Sequence, residues 1–437
     1  MIIDQRVEQD WAARLAALLP AALFVGITSM TGEQLGHAVE AIELVKFLSP
    51  ATPVVFGGIH ASLLPKQAAA APGIDLVVVG EGEAVIGEIV DWCQGKTALS
   101  AIRGICYRDG ERLVRTPARD LLDIASLKMP AWHLIKPARY TDFTVQAGRG
   151  CPHACSFCYN QRFNRGRWRA RSPAAVVEEL CLLYRQFGVR DFHFIDDNFF
   201  TDFERVAAIC RLIIDHGLQL RWKSSCRADY FKRLTPELVD LLKQSGLALL
   251  FVGGESGSPT VLVRINKQIR VEDLLATARL SRQYELPVSV SFMAGFFFET
   301  DEDREMTYDL MDKMKEINPA MSFEGVNVYT PYPGTDLFEE ARMHGLVASG
   351  DLAGWTGFVF NRSNLPWYTK QENRTLENIS FLSRFVFWEI SIRQRFLKTY
   401  HYPFFWFLRV CALLRWHWRF FGFAFEWDLF RLLSRKV

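Results

Sequence analysis

The sequence predicts an α/β chain in which two series of alternating strands and helices follow one another. A short Rossmann-like block spans residues 1–95, a connector 96–140, a partial (β/α)6 barrel 141–345, and a helical, aromatic and basic region 346–437. Three observations carry that prediction. Apolar runs of strand length alternate with helical periodicity from residue 21 onward, the pattern of parallel βαβ units. The runs end in glycine or acid clusters, and such folds bind ligands at the carboxyl ends of their strands. Three cysteines, Cys151, Cys155 and Cys158, lie in one tight loop just after the first strand of the second series.

Residues 1–19 place Val7, Trp11, Leu15, Leu18 and Leu19 near one face of a helix. Residues 21–27 form an apolar run of buried-strand type, and a helical pattern through Ala38, Ile42, Val45 and Leu48 breaks at Pro50. A second strand, 53–56, ends in Gly57, Gly58 and His60, and a third, 74–79, ends in Gly80, Glu81, Gly82 and Glu83. Runs 102–107 and 112–115 flank Asp109-Gly110, a hairpin signal. Pro117, Pro130 and Pro137 then punctuate the approach to the cysteines. Strands are expected at 143–147, 191–195, 220–226, 247–252, 287–294 and 322–329. Helices are expected between them at 173–187, 203–216, 236–245, 271–285 and 301–317. Six repeats in register favour an open barrel over a flat sheet, with the chemistry on the loops at the carboxyl ends of the strands.

Hydrophobic residues make up 49% of the 437 and charged residues 23%, ample material for more than one core. A formal net charge of +2 argues against nucleic acid as a global partner and leaves only a local basic patch open. The basic run Arg162, Arg165, Arg167, Arg169 and Arg171, beside Trp168, reads as a solvated loop or a site for an acidic substrate. Asp4, Arg6, Glu8 and Asp10 leave no apolar leader stretch, so a cytoplasmic setting is expected. Its reducing conditions suit Cys93, Cys106, Cys181, Cys210, Cys226 and Cys411, which sit singly in apolar or mixed runs and read as buried free thiols.

The stretch Cys151-Pro-His-Ala-Cys155-Ser-Phe-Cys158 offers three thiolates where a closed site would want four ligands. Thiolates are the usual ligands of iron–sulfur clusters, and three of them leave one iron of a four-iron cluster open to a further molecule. Two plainer readings stand beside this one: a zinc loop with His153 as fourth ligand, and chance thiols.

The CxxxCxxC spacing resembles the signature of the radical S-adenosylmethionine (SAM) superfamily. Phe194-Ile-Asp-Asp-Asn-Phe199, Arg227-Ala-Asp229, Gly254-Glu-Ser-Gly257 and Thr330-Pro-Tyr-Pro-Gly-Thr335 are similar to its cobalamin-type branch, sometimes grouped as class B. The resemblance implies a [4Fe-4S] cluster on Cys151, Cys155 and Cys158 whose open iron chelates SAM. One electron then cleaves the sulfonium to a 5′-deoxyadenosyl radical that abstracts hydrogen. It further implies Phe157 near the adenine, Asp196 and Asp197 facing the SAM ammonium, and Arg227 facing its carboxylate. Glu255 would meet the ammonium or a ribose hydroxyl, while Gly254 and Gly295 let backbone pass close to the cofactor. The other reading of these charges is that they pair with one another across the barrel mouth.

Block 1–95 resembles a cobalamin-binding domain through Gly57, Gly58, His60, Gly80, Glu81, Gly82 and Glu83. It is shortened: the family domain has a further strand and helix ahead of the stretch 21–27, and no Asp-x-His-x-x-Gly stretch occurs here. Cobalamin binding and a purely structural remnant both stay open at this point.

The stretch Phe296-Phe-Phe-Glu-Thr300 departs from the family's glycine- and proline-containing loop and is expected to shape an apolar pocket. Beyond Asn378 the chain is aromatic and basic, from Phe381 and Trp388 to Trp418, Trp427 and Arg435, without an uninterrupted run long enough to span a bilayer. It reads either as a helix lying in a membrane interface, at the inner membrane face, or as a cap over the barrel mouth. The resemblance implies an enzyme acting on an unactivated carbon of a hydrophobic substrate (tetrapyrrole, lipid or natural product) by methylation, oxidative cyclisation or rearrangement. Tetrapyrrole cyclases and methylases and hopanoid enzymes are the kinds it resembles, with flavodoxin or ferredoxin as electron donor. The alternative is a non-catalytic cluster- or cobalamin-carrying protein that docks at a membrane. Tyr159, next to the cysteine loop, is a candidate radical-site residue; no catalytic acid or base stands out.

Overall fold

The computed structural model describes residues 1–140, 143–387 and 402–426. The first sheet has five strands, in the order β1 (Val25–Thr28), β2 (Val54–Gly57), β3 (Leu76–Val78), β4 (Ile105–Asp109) and β5 (Arg112–Arg115). β1 to β3 are parallel, and β4 and β5 return antiparallel. The hairpin at Asp109-Gly110, assigned from sequence to a connector, therefore completes this sheet, with Leu76 opposite Tyr107. Helix Gln34–Leu48 makes the crossover from β1 to β2 and buries Leu35, Ala38, Ile42 and Val45. The helix expected over 1–19 is confined to Trp11–Leu18. Ahead of it the Glu8 carboxylate accepts the Asp4 backbone N–H (3.0 Å) and holds a turn instead.

The second sheet begins with β6 (Phe143–Val145). The cysteine loop is bracketed by a two-residue pair, β7 (Gly148–Arg149) and β8 (Arg169–Ala170). β9 (Asp191–Phe194), β10 (Arg221–Cys226), β11 (Leu247–Glu255), β12 (Val288–Ala294) and β13 (Ser322–Val328) follow, each after a helix. The order is β13-β12-β11-β10-β9-β6 with every neighbour parallel, the open six-stranded barrel that the repeats predict. The helices start and stop as their sequences dictate. Pro173–Phe187 begins with the Ser172 hydroxyl accepting the Ala175 N–H and ends at Gly188, whose φ of +67° suits glycine. The core lies between strands and outer helices, with Trp222, Phe194 and Phe199 fully buried and in mutual contact.

An open barrel leaves two edges. Helix Lys370–Val386 covers the β13 edge: the Ser383 hydroxyl accepts the Val326 backbone N–H (2.9 Å), and Arg384 donates to Asn327 Oδ1 (2.7 Å). Helix Tyr402–His417 packs against it, and Trp416 Nε1 donates to Asp312 on the outer helix Asp301–Ile317 (2.8 Å). Arg419 pairs with Asp309 and Asp312. The described part of the tail thus closes an edge and an outer flank; it is not a lid on the mouth. Trp406, Trp418, Phe420 and Phe423 stay exposed on it. Trp388, Trp427 and Arg435 lie outside the described residues. Among the described residues no helix is long and apolar enough to cross a membrane.

Candidate active site at the barrel mouth

The cysteine loop is held mainly by its backbone. Cys158 N–H reaches Cys155 O (3.1 Å), Ser156 N–H reaches Ile265 O (3.0 Å), and Leu337 N–H reaches Ser156 O (3.1 Å). Asn266 Nδ2 donates to Ala154 O (2.7 Å). The loop can start its turn only at a glycine: Gly150 has φ +85°, and a Cβ there would lie 2.0 Å from Arg167 O. Burial pushes the Cys155 thiol up and the Cys158 thiol up to about 11, so thiolates here call for adjacent positive charge, which iron supplies. Among the described residues no three His, Cys, Asp or Glu side chains converge as the ligands of a single ion must. His153 Nε2 is already 2.9 Å from the Tyr230 hydroxyl, so the zinc reading lacks its fourth ligand. Thiolates of a cluster each hold a different iron and need no common point.

Asp196 and Asp197, expected to act together, face opposite ways. Asp196 lies beneath the loop with Oδ1 accepting the Ala147 N–H (2.7 Å), and burial pushes its pKa up to about 7. It is closed off from any ligand in the barrel. Asp197 accepts the Gly150 N–H at Oδ2 (2.9 Å) and the Tyr159 hydroxyl at Oδ1 (2.7 Å), tying both ends of the cysteine loop to the end of β9.

The other charges are engaged as well. Arg227 Nε donates to Asp229 (2.9 Å) and its Nη2 to Lys267 O (3.0 Å), so the planar fork is partly used. Glu255, at φ +63° beside a bulge in β11, pairs with buried Lys267 (2.6 Å). Burial works against the Lys267 ammonium, yet Glu255 and Cys155 hold its pKa above the ordinary value. Pairing across the mouth therefore describes Arg227 and Glu255 better than free arms do. Phe157 lies with its ring 5.8 Å from Lys267 Nζ. A Cβ on Gly254 would press on Val290 and Phe292 (3.0 Å each), outside the barrel; its neighbour Gly253 is the one that faces in. Gly295 is sealed: its N–H goes to Glu299 (2.6 Å), its carbonyl takes the Trp367 Nε1–H (3.1 Å), and Leu365 covers it. Nor does the phenylalanine stretch open a pocket. Phe296 packs on Tyr329 (4.6 Å) and Phe297 stacks on His344 (4.4 Å), so these rings fill one another's space.

Two cavities open at this mouth. One, of about 290 Å³, lies inside the barrel against Asp197, Asn198, Arg227, Gly253, Lys267 and, deeper, Ser291. The other, of about 620 Å³, lies between the domains. Gly26, Gly57, Gly58, Gly80 and Gly82 form one wall, and Arg149, Tyr159, Phe163 and Asp197 the other. Gly80 (φ +95°) has nothing within 4 Å of a built Cβ. Glu81, by contrast, is the hub that docks the domains: it accepts Arg149 Nη1 (2.8 Å), Arg169 Nη1 (2.8 Å) and the Leu122 N–H (2.9 Å). Glu83 pairs with Arg149 (2.6 Å). His60 is fully buried away from the cleft, with Nδ1 on the Thr31 hydroxyl (2.9 Å) and its ring against Trp355. Of the arginine run, Arg162 pairs with Asp336, Arg169 with Glu81 and Arg171 with Glu179, so it is largely a structural strap. Asn198 stands in the stretch 194–199 but was given no role there, and Lys267 escaped the sequence analysis; Lys267 stands alone between two residues in left-handed conformation, where no periodicity marks it.

Residues 145–311 match the Radical SAM superfamily and residues 2–90 the B12 binding domain. The chain carries a B12-binding domain and a radical SAM domain. It is 29% identical over 380 residues to an uncharacterized methyltransferase of Pyrococcus horikoshii, covering 85% of this chain and 79% of that one. It is 30% identical over 319 residues to the anaerobic magnesium-protoporphyrin IX monomethyl ester cyclase of Cereibacter sphaeroides, covering 70% of this chain and only 51% of the cyclase. The fold is similar to that of OxsB with aqua-cobalamin and S-adenosylmethionine bound (TM-score 0.71, 15% identity, 98% of this chain and 69% of that one). This radical SAM chain is thus of the enzyme type whose cofactors are a [4Fe-4S] cluster, SAM and cobalamin.

The residues present fit those groups. Ser156 Oγ in the cysteine loop and Asn198 Oδ1 in the cavity wall are buried without a partner, as atoms awaiting a polar ligand would be. The cleft wall of five glycines leaves room for a flat macrocycle to lie against backbone, and among the described residues no histidine lines it.

Proposed function

We propose that this protein is a methyltransferase that acts on a carbon of a hydrophobic small molecule, a tetrapyrrole or lipid being the favoured kinds. The observation that carries this reading is that the barrel cavity and the interdomain cleft both border Asp197. A group activated in one space is therefore delivered next to the other. When bound, the cluster and SAM supply radical chemistry, and cobalamin supplies methyl-group transfer.

The chain's own residues do the rest. Cys151, Cys155 and Cys158 hold the cluster. Asp197, Arg227, Gly253, Glu255 and Lys267 form the wall against which SAM lies, with Phe157 beside it. Gly57, Gly58, Gly80 and Gly82 form the floor for cobalamin, and Glu81 fixes the distance from that floor to the cysteine loop. Ile27, Val55, Ile59, Val78 and Phe163 line the cleft and exclude water from a greasy acceptor. The exposed Trp406, Trp418, Phe420 and Phe423 support contact with a lipid surface from which such an acceptor is drawn, and a flavodoxin or ferredoxin supplies the electron.

Anaerobic reconstitution with iron and sulfide is expected to give cluster absorbance that Cys155→Ala loses. With reductant and SAM it is expected to give 5′-deoxyadenosine or S-adenosylhomocysteine; if neither nucleoside forms on the loaded protein, the reading is wrong. Sedimentation with liposomes tests the lipid contact, which Trp406→Ser with Trp418→Ser should weaken several-fold.

A further inference from the structure

The geometry points to Asn198 as a positioning residue that sets the reduction potential of the cluster and couples it to occupation of the barrel cavity. This rests on the reading that Cys151 holds one of the irons.

Asn198 follows β9 and is 2% exposed. Its Nδ2 lies 3.7 Å from Cys151 Sγ and 3.1 Å from the Tyr230 hydroxyl, so its two hydrogens have two acceptors. The Tyr230 hydroxyl is in turn 2.9 Å from His153 Nε2, which anchors the phenol from the far side. The remaining amide atom, Oδ1, is buried and has no partner, and Asn198 lines the barrel cavity. Turning the amide over would set its oxygen against the thiolate, so the donor-to-sulfur orientation is the stable one.

Two consequences follow from that accounting. Reduction adds negative charge to a cluster, and an N–H pointed at a ligating sulfur stabilises that charge, so Asn198 raises the potential. The unpartnered Oδ1 accepts a hydrogen from a ligand ammonium or hydroxyl entering the cavity. An amide whose oxygen is engaged is a stronger N–H donor, so filling the cavity strengthens the bond to sulfur and eases reduction. Asn198 thus favours electron entry when the cavity is filled over electron entry when it is empty.

The test is a redox titration of the reconstituted full chain, followed by electron paramagnetic resonance, without and with SAM. Asn198→Leu, which keeps the branched shape and removes both donor and acceptor, is expected to load iron normally. Its midpoint should fall so that the reduced-to-oxidised ratio at a fixed potential drops roughly tenfold, about 59 mV for a one-electron couple. The shift that SAM produces in the wild type should shrink to the part that SAM causes as a ligand of the open iron. Tyr230→Phe, which frees the Asn198 amide from its anchor, is expected to move the midpoint the same way by less. A fully loaded Asn198→Leu with an unchanged midpoint overturns the inference. Should that variant fail to load, an unchanged midpoint in Tyr230→Phe overturns it instead. Full iron content in Cys151→Ala would instead remove the ligand reading beneath it.

Discussion

The two walls of the interdomain cleft are built in contrasting ways. On the first-domain side the strand ends are bare backbone: a Cβ at Gly80 or Gly82 would meet nothing within 4 Å. On the barrel side the strand ends are crowded and committed. Gly150 has no room for a Cβ, Asp197 holds the Gly150 N–H and the Tyr159 hydroxyl, and Arg149 is paired with Glu81 and Glu83. The barrel wall is organised before a ligand arrives, whereas the glycine wall offers space and backbone for a ligand to fill. Glu81 and Gly58 are the exceptions on the glycine side: Glu81 is spent on holding the walls together, and a Cβ at Gly58 would lie 2.5 Å from Ser29 O.

Gly150 and Gly80 put that contrast to the sharpest test, because both have a positive φ and only one has a neighbour in the way. Gly150→Ala is expected to cost about 4 kcal/mol in thermal unfolding and to abolish iron loading, since Arg167 O stands where the methyl must go. The next largest effect is a pH dependence. Burial holds the His60 imidazole down at about 4, below its ordinary 6.5, so protonation favours the unfolded first domain. The associated stability is present above pH 6.5 and is lost as pH falls toward 4, about 3 kcal/mol in all, and urea unfolding of His60→Gln should lack that loss. The barrel runs the other way. Burial pushes Glu299 up to about 7, so its contribution is present below pH 4.5 and is lost as pH rises through 7. Domain-resolved hydrogen exchange at pH 5 and pH 7.5 should therefore show opposite trends on the two sides of the cleft.

Glu81→Gln comes third. It leaves Arg149 and Arg169 with a weaker acceptor in a mostly buried setting, and about 2 kcal/mol of stability should go, with faster exchange at Leu122. Gly80→Ala is the smallest at about 1 kcal/mol, a backbone cost alone, with iron loading unchanged. If Gly80→Ala proved as damaging as Gly150→Ala, the open-wall description would fail.

What could be read from the sequence follows the same divide. Strand positions and the cysteine loop were legible because they depend on local periodicity and spacing, and the glycines at β2 and β3 announce a surface needing no side chain. The hairpin at Asp109-Gly110 was legible as a hairpin but not as part of the first sheet, because pairing with β3 is a long-range choice. The charged residues were legible as types and not as partners. Arg227 meets Asp229 and the Lys267 carbonyl, and Glu255 meets Lys267, through loop geometry that no period encodes. Gly254 is marked by its place in the Gly254-Glu-Ser-Gly257 stretch, whereas the inward glycine is Gly253, two residues on from Phe251 along β11, where both line the cavity.

The Ser383 hydroxyl on the Val326 backbone has a consequence for how the molecule is made. The two residues are 57 positions apart. At a synthesis rate of roughly 5–20 residues per second, the β13 edge waits roughly 3–11 seconds on the ribosome before its covering helix has even been translated. Through that interval a nearly complete barrel presents an unpaired strand to every other nascent chain nearby. Slow codons placed after residue 330 should lower the soluble yield of this protein more than the same codons placed before residue 140.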